Sequence, residues 1–256
     1  MTRSLFAPAS LPKALKRLGF LQADPLRAPA RAQDLILRHR VAGYRAGDLE
    51  SRYQQLEIEE DFFVNYGFVL RDLHHLMHPR KPRTIWPLNR MKQATDVLAF
   101  VRERGVVRPA EVDAHFDHGS VTHWFGGSSK ASTQLLDGMH YRGMLRVAWR
   151  EGGQRLYAVR EHQPRALGDD EAMDALVDII LAKYAPLPSA SLTQLVGLLL
   201  TGGVPQWRDQ RQAILQRART RFPSTVVDGV TWFWPEGENP VSRRYEVDEQ
   251  VHADSA

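Results

Sequence analysis

The chain of 256 residues contains no cysteine. That excludes disulfides, thiolate metal sites and a cysteine nucleophile. Long apolar runs are missing as well; the longest candidate, residues 192–200, is too short to span a bilayer. The opening MTRSLFAPAS has no apolar core of the kind a signal peptide needs, so the expected location is the cytoplasm. No G-x-S-x-G elbow and no P-loop is present, and Gly126-Gly127 reads only as the approach to a helix. Lysine is scarce beside arginine.

The formal net charge is only +4, but it is uneven. Residues 1–50 carry nine basic against four acidic side chains. Arginine favours fork-like contacts to phosphate, so a polyanion fits as partner. A GC-rich genome would give the same excess, and composition leaves both readings open.

Periodicity predicts helices over 11–18 and 30–40 with an extended stretch at 19–26 between them. DFFVNYGFVL (61–70) reads as a strand pair or a buried strand. RDLHHLMHPRKPRTIWP follows as a basic linker, since prolines 79, 82 and 87 stop a helix. Met91, Ala94, Val97, Leu98 and Val101 then mark a helix closed by Gly105. A short helix at 107–116, a serine-capped third carrying Ala131, Leu135 and Met139, and a hairpin at 145–160 around Gly152-Gly153 complete the block. The same order recurs: a helix with Met173, Leu176, Val177, Ile180 and Tyr184, a second after Pro188, a third from Trp207 to Ala218, and a hairpin turning at Asp228-Gly229. Three helices and a hairpin, twice, predict tandem winged-helix units in a mainly α fold with small β hairpins (α+β). The expected division is an N-terminal segment at 1–85, winged helices at 86–168 and 169–240, and a tail at 241–256.

Lys130, Thr133 and Gln134 fall off the apolar stripe of the third helix, and the first wing carries Arg146, Arg150 and Arg155. A helix entering a groove beside a basic hairpin suits DNA. Arg208, Arg211, Arg217 and Arg219 surround Trp207 in the second unit. The plainer alternative is protein docking, with solvated arginines. His74, His75 and His78 form H-H-x-x-H, but the glutamate of the hydrolytic zinc signature is replaced by His75 and Pro79 cuts the helix. No metal is expected there; His74 packs or caps, while His78 with Arg80 and Lys81 is expected on phosphate.

Gln22-Ala23-Asp24, between an apolar lead-in and Pro25, places an amide and a carboxylate on one side of an extended segment. By residue statistics Asp24 would simply cap a turn. The run LGFLQADPLRAPARAQDLILRHRVAGY, however, resembles the signature segment of the winged-helix crosslink-repair DNA glycosylases, the AlkZ/YcaQ-like family. The Gln-x-Asp motif is Gln22 and Asp24, the following arginine is Arg31, and the tail comprises Asp34, Leu35, Leu37, Arg40, Gly43 and Tyr44. KASTQLLDGMHYRGMLRVAWREGGQRLYAV resembles a further stretch of that family. The resemblance implies hydrolysis of the N-glycosidic bond of N7-alkylated or crosslinked purines, with Asp24 and Gln22 catalytic. It also implies a monomer acting on double-stranded DNA at the nucleoid, with no cofactor and no membrane partner. Arg27, Arg31, Arg38, Arg80, Lys130, Arg146, Arg150 and Arg155 are the expected DNA contacts. Members of that family extend into a β-barrel-like C-terminal domain, for which the chain after residue 240 leaves no room. The rival reading is a non-enzymatic winged-helix regulator, and a third is a protein-interaction scaffold that would bind no DNA.

Overall fold

A computed structural model of the chain describes residues 6–24, 29–82, 84–116, 120–122, 128–162 and 164–238. Arg27, the glycine pair at 126–127 and the tail 241–256 lie outside these residues.

Helix α1 (Leu11–Leu18) buries Leu11, Ala14, Leu15 and Leu18, one face at helical spacing. It stops at Gly19, whose φ of 66° admits no ordinary side chain and whose amide donates to Leu15 O. Strand β1 (Phe20–Gln22) follows, then α2 (Ala32–Arg38), α3 (Asp48–Arg52) and a 3₁₀ turn at Tyr53–Gln55. Strands β2 (Ile58–Phe62) and β3 (Tyr66–Leu70) are the expected strand pair, although β2 starts earlier than periodicity suggested. The antiparallel sheet runs β1-β3-β2, with Gly67 opposite both Gln22 and Asp61. The stretch read as a basic linker instead begins with a helix, α4 (Arg71–Met77), which buries His74 and Met77.

Two similar units follow. The first holds α5 (Leu88–Arg104), β4 (Val106–Val107), α6 (Pro109–His115), the short pair β5 (Ser120–Thr122) and β6 (Ser128–Lys130), α7 (Ala131–Tyr141), β7 (Leu145–Glu151) and β8 (Gln154–Val159). Ser128 and Ser129, expected to cap α7, belong to β6. Met91 does not join the α5 core face; it lies in the first turn, 45% exposed. The second unit holds α8 (Asp169–Tyr184), β9 (Leu187–Pro188), α9 (Ser189–Gly202), a 3₁₀ turn at Pro205–Gln210, α10 (Arg211–Arg221), β10 (Ser224–Val227) and β11 (Val230–Phe233). In each, the strand after the first helix pairs with the last strand of the hairpin, giving orders β4-β8-β7 and β10-β11-β9. The whole is mixed α+β. Among the described residues no helix is long and apolar enough to cross a membrane.

Three cores form. Leu11, Leu15, Leu37, Leu49, Ile58 and Phe68 pack within the N-terminal segment, and Val97, Leu135, Met139 and Val147 within the first unit. The largest joins Phe20, Phe63, Val69 and Met77 to Leu176, Ile180, Val196 and Phe233 of the second unit. The N-terminal sheet therefore has one face in its own core and the other against α8.

Strand β2 carries three acids in a row, all buried: Glu59, Glu60 and Asp61. Acids are poor strand formers, and burying a charge is costly unless it is paired. Each is paired. Glu59 accepts from Arg146 at 2.7 Å and from Arg71 at 3.2 Å; Glu60 accepts from Arg150 at 2.7 and 2.8 Å and from the Tyr66 hydroxyl at 2.8 Å. These contacts clamp β2 to β7, and Tyr53 adds to them by donating to Val147 O at 3.2 Å.

Candidate active site

β1 is one of the two edge strands of its sheet. It ends at Gln22; Ala23 still donates to Tyr66 O at 3.0 Å, and Asp24 follows half-buried. Asp24 lines a cleft of about 210 Å³. Arg31 and Gln33 from the start of α2, Glu50 of α3, Tyr66 and Phe68 of β3, and Arg150, Gly153 and Arg155 of the β7–β8 hairpin line it as well. The β7–β8 hairpin contributes through Arg150 and Arg155, cross-strand partners that flank the Gly152-Gly153 turn.

Each arginine is held. Arg31 donates to Glu50 Oε1 at 2.8 Å. Arg150 forks onto Glu60, and Arg155 donates to Asp137 at 2.9 Å while its guanidinium lies 4.6 Å from the Tyr66 ring centre. Burial alone would raise the Glu60 carboxyl, but the Arg150 guanidinium, joined by the Tyr66 hydroxyl and Arg155, pulls the group below its usual value. Burial and the Glu60 charge both push the Tyr66 hydroxyl up, so it stays a donor. The tail residues brace the same cleft: Tyr44 and the Gly47 amide donate to Asp34 at 2.8 and 3.2 Å, turning the chain after α2 back into α3. α3 is what delivers Glu50. From the opposite side Lys183 donates to Phe20 O at 2.8 Å, and burial lowers its ammonium to about 8.

The structure thus brings together Asp24, Arg31, Arg150 and Arg155. Gln22 is not among the cleft-lining residues; it sits on β1 opposite Gly67. Arg38 is exposed at the end of α2, away from the cleft lining. Lys130 closes β6, and its side chain lies outside the description. Arg146 lies outside the cleft lining and, like Arg150 on the same hairpin, is paired with a buried acid, here Glu59.

Two expectations are corrected. Arg80 is not at the surface: it is 3% exposed and donates to Asp61 at 3.0 Å and to the carbonyls of Gly203, Tyr141 and Phe62. His78 is likewise buried, donating to Asp61 Oδ2 at 2.7 Å beside His74 at 2.9 Å. Neither reaches phosphate. The buried carboxylate of Asp61, with the three carbonyl oxygens, supplies the partners that hold these groups inside. Asp61, His74 and His78 hold donor atoms close enough for a metal, but both ring Nε2 atoms are already spent on one carboxylate oxygen, and Arg80 takes the other. Similarly, Arg217, one of the second unit's arginines, pairs with Asp170 and Asp174.

Glu50, which the sequence did not single out, is a second carboxylate on the cleft beside Asp24. Nothing local betrays it, since Glu50 meets Gln33 and Arg31 only through the fold. Glu60 had a signal: three acids directly before an aromatic, β-branched run.

A solved structure, Streptomyces sahachiroi DNA glycosylase AlkZ, is similar over 92% of this chain and 67% of that one, with a TM-score of 0.61 at 13% sequence identity. At that identity the likeness speaks for the fold. The family model for "DNA glycosylase AlkZ-like" matches residues 15–247, a span that holds the cleft, the Gln-x-Asp stretch and both helix–hairpin units, and the chain belongs to the AlkZ-like DNA glycosylase family.

Proposed function

We propose that this chain is an active DNA glycosylase that hydrolyses the N-glycosidic bond of N7-alkylated or interstrand-crosslinked purines in duplex DNA, as a monomer and without a cofactor. The observation that carries this is the carboxylate of Asp24 on an open cleft rimmed by Arg31, Arg150 and Arg155. Breaking the bond from C1′ to N9 develops positive charge on the sugar. Asp24 stabilises that charge and orients or deprotonates the attacking water, while the C1′–N9 electron pair leaves with the base. An N7-alkylated guanine already bears positive charge, so it departs without a general acid. Gln22, which ends the strand leading to Asp24 without lining the cleft, is assigned the positioning of water by the family's Gln-x-Asp motif. The rim arginines, each paired with a carboxylate but still part-exposed, share their outer N–H groups with the flanking phosphates, and exposed Arg38 adds a further contact. A crosslinked base cannot swing freely from the duplex, and an open cleft suits it better than a deep pocket. The two helix–hairpin units read as winged helices gripping the duplex around the lesion.

The test is base release. The purified chain is incubated with duplex containing N7-methylguanine, and abasic sites are read as strand breaks after mild alkali. Asp24→Asn should lower release by about two orders of magnitude or more, within the range of electrostatic and acid–base effects. Gln22→Ala should cost less, with DNA affinity and melting temperature unchanged in both. Tight binding with no release by the unaltered chain would favour the regulator reading, and full activity in Asp24→Asn would remove Asp24 from catalysis.

A further inference from the structure

Glu50 sits in the cleft without a part in the chemistry above. Its Oε1 accepts twice, from Arg31 at 2.8 Å and from Gln33 Nε2 at 3.1 Å. Gln33 is buried at 4% exposure, and its own Oε1 accepts from the Asp24 backbone amide at 3.2 Å. The chain of bonds therefore runs from α3 through the first turn of α2 to the residue just past β1.

Its polarity is forced. A carboxylate only accepts and a backbone N–H only donates, so an amide between them has a single productive orientation. Gln33 must turn its NH₂ toward Glu50, which leaves its carbonyl oxygen for Asp24. The second oxygen of Glu50 is buried and has no hydrogen-bond partner among the described residues, which leaves Oε1 as the oxygen that does the holding.

We propose that Glu50 is a positioning residue: its carboxylate orients the Gln33 amide, and through it holds the main chain at Asp24 in place over the cleft. The effect on base release rests on the glycosylase reading; the hydrogen-bond relay itself does not.

The experiment breaks the relay and then rebuilds it with the donor reversed. Gln33→Glu faces two carboxylates against each other. The double variant Glu50→Gln/Gln33→Glu keeps the net charge and reverses the donor between the two side chains: the amide introduced at 50 donates to the carboxylate introduced at 33, whose other oxygen accepts from Asp24, and the carbonyl oxygen of that amide is left to accept from Arg31. Two readouts are taken: hydrogen-exchange protection of the Asp24 amide by NMR, and single-turnover release of N7-methylguanine. Gln33→Glu should lower both by about tenfold or more, the scale of a small misplacement of a reacting group, with KM for the duplex unchanged. The exchanged pair should recover both to within a factor of about three, a recovery that lost packing would not show. Unchanged Asp24 protection in Gln33→Glu, or no recovery in the exchanged pair, overturns the proposal. If the unaltered chain releases no base, the glycosylase reading fails, while the exchange measurement still decides the role of Glu50.

Discussion

Asp61 is wholly buried yet charged, and its neighbours explain how. Burial opposes the charge, but the Arg80 guanidinium and hydrogen bonds from His74 and His78 hold the carboxyl well below its usual range. Because a carboxylate only accepts, His78 must present Nε2–H to it, leaving Nδ1 bare. That nitrogen indeed has no partner, and it lies where a Cβ on Gly143 would come within 2.4 Å. Burial drives His78 down to about 3, so the folded protein keeps it neutral. The unfolded chain protonates the same ring near pH 6.5. The folded state then binds fewer protons, so this contribution is complete above that pH and is lost as pH falls toward the folded value. The loss is about 1.4 kcal/mol per pH unit, or about 2 kcal/mol by pH 5. His140, buried and donating to Glu60 O, is lowered chiefly by burial and adds in the same direction. Urea denaturation at pH 7 and pH 5 should show this drop, and equal midpoints at equal slope would contradict it.

At the scale of elements, β1 is only three residues long, and it carries the approach to Asp24. It lies so close to β3 that a Cβ on Gly67 would meet Leu21 O at 2.3 Å and the Phe20 ring at 2.6 Å. Gly67→Ala should therefore push β1 outward, destabilising the fold by about 1–3 kcal/mol, the usual cost of overpacking. It should also lower base release by more than the lost stability accounts for, since Asp24 moves with the strand. Denaturation midpoints alongside release rates check this; a variant of unaltered stability would mean that β1 tolerates the displacement. The helices were legible at this scale because apolar spacing along one chain segment encodes a helix face. The hairpin turns were legible too, and Asp228 with φ 50° before Gly229 is the backbone such a turn demands. Strand β2 was not fully legible, because its acids look exposed until Arg146, Arg150 and Arg80 arrive from elsewhere.

For the whole molecule, the largest core crosses the divisions that the sequence suggests. Phe63, at the turn between β2 and β3, is fully buried among residues that extend into α8 and α9. Glu59 and Glu60 bind the same segment to the first unit. An N-terminal segment so shared should not unfold separately. Thermal melts followed by far-UV circular dichroism and by tryptophan fluorescence should coincide. Phe63→Ala should shift both together, at a cost of about 3–5 kcal/mol. Two resolved transitions, only one of them moved by that substitution, would contradict it.

Apolar periodicity and turn residues, which act within a few positions of each other, determined by themselves the α+β class, the twofold recurrence of helices and hairpin, and the extended stretch before Asp24. The tertiary structure alone decided which charges are spent inside and which face the cleft. Arg80 and Arg150 are both arginines near basic neighbours in sequence, and both pair with buried carboxylates, but Arg80 is sealed on Asp61 while Arg150, on Glu60, stays part-exposed at the cleft. The difference lies in carboxylates tens of residues away, and no local spacing records a partner that only the closed fold supplies.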